Sequence, residues 1–88
     1  MRAAITDLLF ELNKATSVRP TYEESTELPL KDLFFVGGQL QRLIRRSEEA
    51  LASFSLNLPG NTRSTIHSRL DEVRAFRNYI VKRIKQGT

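Results

Sequence analysis

Apolar residues recur at alternating intervals of three and four along most of this chain. The longest such run lies between Leu30 and Leu56. Its positions are Leu33, Val36, Leu40, Leu43, Ala50 and Phe54, with Ser47 at the step between Leu43 and Ala50. Because this spacing places side chains on one face of a helix, the sequence predicts a long helix over residues 30–56. Ile44 and Leu51 widen the face, which favours packing against two neighbouring helices.

Two adjacent glycines lie inside this run. Each of them, Gly37 and Gly38, is expected to cost about 1 kcal/mol relative to alanine in a helix interior. Either another helix crosses closely at this point or the helix bends there. Since Gly37 falls on the apolar face, the sequence favours a close crossing.

A shorter pattern predicts an N-terminal helix over residues 3–16. Ile5, Leu8, Leu9 and Leu12 share its apolar face, and Phe10 points away from it. Residues 17–29 show no such spacing and contain two prolines and three glutamates. This composition favours an acidic loop on the surface.

The last predicted helix covers residues 62–86. Its apolar positions are Ile66, Leu70, Val73, Ile80 and Ile84. Residues 57–61 form the preceding turn, in which Gly60 can adopt positive φ and either Asn61 or Thr62 caps the helix. The central and last helices should therefore form a long antiparallel hairpin.

These elements predict an all-α fold in which a short N-terminal helix packs on the long hairpin. The 88 residues are enough for one domain, which we place at 1–88. A chain of this length buries only about 60–65% of its unfolded surface. Oligomerisation could therefore complete a bundle whose own hydrophobic core is small.

The chain has a net charge of +4, and its charged residues are unevenly distributed along the sequence. Residues 1–39 hold four basic and six acidic side chains, and residues 40–88 hold ten and four. The second half therefore suits an anionic partner such as nucleic acid, an acidic protein or lipid, although such charge also serves solubility alone. The chain has no cysteine and no pattern typical of a signal peptide or membrane span, so we expect a cytoplasmic protein.

Candidate chemistry is sparse. Ser64, His67 and Asp71 share one face of the last helix, but a serine–histidine–acid relay also needs an oxyanion site and a pocket that excludes water. A solvent-exposed polar face is the better interpretation. No second histidine or cysteine accompanies His67 as a metal ligand. The sequence thus predicts no enzyme activity, metal, cofactor or small-molecule substrate.

Five arginines stand out on the predicted hairpin. Folding it about Pro59 and Gly60 brings the arginines of the central helix level with those of the last helix. They are Arg42, Arg45 and Arg46 on the central helix and Arg74 and Arg77 on the last. Such a cluster suits phosphate or carboxylate, unless nearby carboxylates neutralise it. Arg77 falls within the apolar stripe, so it should either extend outward along its alkyl stem or pair with a carboxylate such as Asp7 or Glu11, or one on another chain.

Four aromatic residues lie off the main stripes. They are Phe10, Phe35, Phe76 and Tyr79. In a chain with little core, aromatics on secondary faces favour contacts with other subunits or a partner, where aromatic and arginine side chains are common anchors.

The segment Leu70-Asp71-Glu72-Val73, followed by Phe76-Arg77-Asn78, resembles the second arm of type III secretion needle subunits. That likeness covers nine positions and does not extend to a tryptophan-bearing N-terminus. The order of helices, the size and the basicity are similar to those of bacteriocin immunity proteins. Neither resemblance assigns a functional residue.

The sequence therefore predicts a non-enzymatic helical module for protein–protein interaction, which self-associates or docks on a larger assembly. Its predicted contact residues are Phe10, Phe35, Arg42, Arg45, Arg46, Arg74, Phe76, Arg77 and Tyr79. The alternative is a nucleic-acid-binding hairpin that uses the five arginines.

Overall fold

The protein folds into three helices that pack as a bundle. The computed structural model describes the backbone of residues 2–25, 27–54 and 58–87, and the side chains of 5–25, 27–53 and 58–87. The helices are α1 (Arg2–Glu24), α2 (Leu30–Phe54) and α3 (Gly60–Gln86). α1 packs on both arms of the α2–α3 hairpin, which confirms the predicted all-α fold. The body measures 44 × 19 × 18 Å.

The core consists of the apolar stripes predicted for α2 and α3, together with residues of α1. Its buried apolar members are Leu8, Leu12, Leu33, Leu40, Leu43, Ile44, Ile66, Leu70, Val73, Phe76 and Ile80. Ser47 is also fully buried, and its hydroxyl donates a hydrogen bond of 2.7 Å to the carbonyl oxygen of Leu43. This local bond satisfies the hydroxyl without a partner from another helix.

The predicted end of α1 at residue 16 is wrong, because the helix continues to Glu24. Residues 17–24 therefore do not belong to a loop. The stripe of Leu8, Leu12 and Ala15 extends to Tyr22 through a half-buried Arg19, whose guanidinium pairs with Glu23 at 3.0 Å. Pro20 lies inside the helix on an exposed side, where water can bond the carbonyl that the missing N–H leaves unpaired.

Contacts from α3 hold the last turn of α1. The Arg83 guanidinium donates to the carbonyl oxygens of Tyr22, at 3.0 Å, and Ser25, at 2.7 Å. The Tyr22 ring packs on Phe76, with ring centroids 5.6 Å apart. Helix ends leave carbonyls without partners, so this arginine supplies a C-terminal cap from a distant part of the chain.

α3 begins two residues before its predicted start. Pro59 occupies the N-cap position, with φ −56° and ψ 147°, and no side chain caps the helix. Asn61, a predicted cap, instead lies in the first turn, where its Oδ1 accepts a hydrogen bond from the Thr62 amide. Gly60 does not adopt the positive φ that we expected. Residues 55–57 of the predicted helix end and turn, and the side chain of Phe54, lie outside the described residues.

Gly37 lies where α2 meets α3. A methyl group built on Gly37 would be 3.5 Å from Cγ2 of Ile80, which is ordinary van der Waals contact. The crossing predicted at Gly37 is therefore present, but it does not require glycine. Gly38 faces open space within the described part of the chain.

Candidate docking groove

An open groove runs between α1 and α2, the two helices that share the least extensive contact. Its larger part has a volume of about 780 Å³. A second depression of about 430 Å³ continues it toward the N-terminal end of α1, and Asp7 and Arg46 line both. The apolar lining of the larger part is supplied by Ala15, Val18, Tyr22, Val36, Leu40, Leu43 and Phe76. Core side chains thus form part of the surface of this groove.

Charged side chains stand on both rims. On α1 these are Asp7, Glu11 and Lys14, and on α2 they are Arg42 and Arg46. A salt bridge between Glu11 and Arg46 crosses the groove and marks the level at which the antiparallel helices face each other. Both partners of that pair remain about half exposed, so solvent weakens it.

Phe10 lies on the α1 rim with 68% of its surface exposed, and it lines the groove. Phe35 is 67% exposed on the outer face of α2. Helical spacing places Phe35 one turn from Gln39 and two turns from Arg42, which line the α2 side. These two of the predicted contact aromatics therefore border the groove.

Phe34 is a third exposed aromatic, at 57%, and the sequence analysis missed it. It shares a helix face with the exposed Leu30. Leu30 lies beside Gly87 at the end of α3, so this face is on the α3 side of α2 rather than at the groove. Its position immediately before Phe35, outside the apolar stripe, was the available signal.

The other two aromatic residues that we predicted as contacts, Phe76 and Tyr79, are less exposed than Phe10 and Phe35. Phe76 is only 1% exposed and belongs to the core, so it is not the exposed contact residue that we predicted, although its ring lines the floor of the groove. It faces α1 because α3 packs against two helices, and the stripe that we assigned to α3 was too narrow. Tyr79 is half-buried beside Arg83, whose guanidinium carbon lies 5.8 Å from the centre of the Tyr79 ring.

The five arginines do not form one cluster. Arg42 and Arg46 border the groove, whereas Arg74 of α3 pairs with Glu48 of α2 at 2.7 Å. Since Arg46 and Glu48 are two residues apart, they point to opposite sides of α2. Arg45 is exposed on the outer surface of α2. The sequence predicted that these residues lie at similar heights along the hairpin, but it did not predict that they lie on separate faces.

Arg77 is half-buried and uses amide rather than carboxylate partners. It donates to Oε1 of Gln41 at 2.5 Å and to Oδ1 of Asn78 at 3.1 Å. The predicted alternative of a pair with Asp7 or Glu11 is therefore wrong. The guanidinium lies at the α2–α3 seam, on the far side of the hairpin from α1, which fits the outward-extension alternative.

The three residues considered for a relay remain at the solvent surface. Ser64, His67 and Asp71 are all exposed, and Asp71 pairs with Arg74 at 3.4 Å. Among the residues that the structure describes, there is no cluster of three or more side chains of the types that could hold a metal ion. Nor is any described helix long and apolar enough to cross a membrane.

Comparison of the chain with protein-family models, curated proteins and solved structures found no match. The functional assignment therefore rests on the residues and geometry of the groove.

Proposed function

We propose that this protein is a non-enzymatic docking module that binds a helical protein in the groove between α1 and α2. The observation that carries the proposal is an open apolar groove with a largely exposed Phe10 on its rim. Side chains of one helix normally fill the grooves of the next. Here α1 and α2 leave such a groove accessible from outside.

The shape of the groove suits a helix as its occupant. An amphipathic helix binds in a groove through apolar side chains spaced at three and four residues. The groove follows two antiparallel helices and has an apolar floor between charged rims. The floor would take the apolar side chains of the bound helix, and the rims would fix its position along the groove.

Nucleic-acid binding receives less support. Phosphate binding depends on cationic side chains that release counterions, but Arg46 and Arg74 are paired with carboxylates of the same chain. Arg77 bonds to side-chain amides. The five arginines also lie on separate faces, so they do not form one continuous cationic track.

Site-specific photocrosslinking in the cells that produce the protein tests the docking function. A benzophenone amino acid replaces Gln39, which is exposed and lines the groove. The matched control carries the same group at Ser64, which is exposed on α3. Products are identified by mass spectrometry, and each probe is repeated with Phe10→Ser.

The proposal predicts a discrete protein adduct from position 39, lost with Phe10→Ser, and no corresponding adduct from position 64. Equal adducts from both positions would contradict it. So would nucleic acid as the crosslinked species, or the absence of any product from position 39.

A further inference from the structure

We propose that the occupant of the groove is a second copy of this chain, which packs groove to groove. This inference rests on the docking function proposed above and names its partner. A half-turn about an axis parallel to the helices places α1 of each copy over α2 of the other, at the same height along the bundle. Such an arrangement is a closed twofold dimer, in which both copies use the same surface.

The charge of this face permits a second copy to approach. The two depressions are lined by three acidic and three basic side chains: Asp7, Glu11, Glu49, Lys14, Arg42 and Arg46. The face is therefore neutral, although the whole chain carries +4. The positive excess lies mainly on α3, which has seven basic and two acidic residues. Like-charge repulsion thus opposes association through α3 more than through the groove.

The rims are complementary in sign at one level. The half-turn places Glu11 of one copy opposite Arg46 of the other. Asp7, one turn before Glu11, lies opposite Glu49 and Ala50, one turn beyond Arg46, so the Asp7–Glu49 level is repulsive. Glu11 and Arg46 already pair within one chain, so the pair between chains replaces that salt bridge and does not add another. Complementary charges of this kind fix the relative position of two partners.

The two groove-side phenylalanines have suitable positions. Phe10 is next to Glu11 and therefore at the level of Arg46, whereas Phe35 lies eleven residues earlier in α2, about 16 Å away along the helix. They stand diagonally, on opposite rims at opposite ends of the groove. The half-turn brings Phe10 over the smaller depression of the other copy, beside Ala50, and brings Phe35 over Tyr22.

The available area is that of an ordinary interface. The bundle presents a face 44 Å long and 19 Å wide. One partner typically buries about 800 Å² in a stable complex, so a dimer of this kind would have to cover most of that face.

Lys14 provides a sharp test because it is basic, whereas the other charged residues of the α1 rim, Asp7 and Glu11, are acidic. It lies one turn beyond Glu11, so it is level with Arg42, one turn before Arg46 on α2. In the proposed dimer, Lys14 of one copy faces Arg42 of the other and repels it. Lys14→Glu converts both symmetric contacts from repulsion to attraction. Lys82→Glu is the matched control, since Lys82 is exposed on α3 and undergoes the same change of charge.

Sedimentation velocity from about 5 to 500 µM measures the association. The wild-type protein is expected to pass from a mass of 10.1 kDa toward twice that value. Lys14→Glu should lower the dissociation constant of the dimer by about threefold or more, whereas Lys82→Glu should change it by less than about 1.5-fold. Phe10→Ser and Phe35→Ser should each weaken it at least about tenfold, while circular dichroism confirms that both variants keep their helices.

A strictly monomeric protein up to 500 µM would overturn the second copy as occupant. If position 39 then crosslinks to a different protein, the docking function stands with a foreign partner; if it crosslinks to nothing, both proposals fail. A dimer that Lys14→Glu does not tighten, or that Phe10→Ser does not weaken, would use another face and would also overturn the inference.

Discussion

Phe76→Ala should strongly destabilise the protein, because this side chain belongs to the core. Phe76 is 1% exposed and packs on Tyr22. A buried aromatic ring removes about 150–250 Å² from water, which at about 25 cal/mol/Å² corresponds to about 4–6 kcal/mol. Cavity-forming Phe→Ala substitutions cost about 3–5 kcal/mol, and we expect a loss in this range. An 88-residue domain has a total stability of about 4–13 kcal/mol, so much of it would be lost.

Urea unfolding followed by circular dichroism measures this loss, with Phe10→Ala as the matched control. Because Phe10 is 68% exposed, its truncation should change the free energy of unfolding by less than about 0.5 kcal/mol. The measurement belongs at low micromolar concentration, where association does not add to the apparent stability. If Phe76→Ala is unfolded without denaturant, Phe76→Leu retains most of the side-chain volume and keeps the transition measurable.

Equal losses from Phe76→Ala and Phe10→Ala would refute the assignment of one ring to the core and the other to the surface. A loss below about 1 kcal/mol for Phe76→Ala would do the same, because no buried aromatic of this size is removed so easily. Phe76 would then return to the set of contact residues, and α1 could not lie where the structure places it.

Four further substitutions test the packing. Gly38→Ala should raise the free energy of unfolding by about 0.5–1 kcal/mol, and Gly37→Ala should not destabilise, since both methyl groups have room; a loss for either, measured by urea unfolding, would indicate a closer crossing. Ser47→Leu should lower the melting temperature through a cost of about 1–3 kcal/mol, because Ser47 is fully buried; an unchanged melting temperature would mean that the site has spare volume. Arg83→Met should speed amide hydrogen exchange in the last turn of α1, around Tyr22, by removing the bonds to its carbonyls; unchanged exchange there would show that Arg83 does not hold this turn.

The hairpin could be predicted from the sequence because its core positions in α2 and α3 are almost all apolar. Ser47 was the exception in α2, and the apolar residues on either side of it kept the pattern visible. The length of α1 could not be predicted in the same way. Arg19 occupies the core-facing step between Ala15 and Tyr22, and Pro20 follows it, so the local signals favoured a loop. Contacts from α3 outweigh those signals.

The groove was beyond sequence analysis for a different reason. Periodicity identifies which face of a helix is apolar, but not which of two neighbours covers each edge of that face. Phe76 and Arg77 are adjacent, and only the position of α1 determines that the ring is buried and the guanidinium lies at the opposite seam. For the same reason, arginines that lie on separate faces were predicted to form one cluster.

Amide chemical shifts over a dilution series test the central claim most directly, because they locate the contact surface residue by residue. We predict that concentration-dependent shifts are confined to residues of the α1–α2 groove, such as Ala15 and Gln39, and that exposed positions of α3, such as Ser64 and Lys82, do not move. Shifts concentrated on α3, or spectra that stay unchanged up to 500 µM, would contradict groove-to-groove self-association.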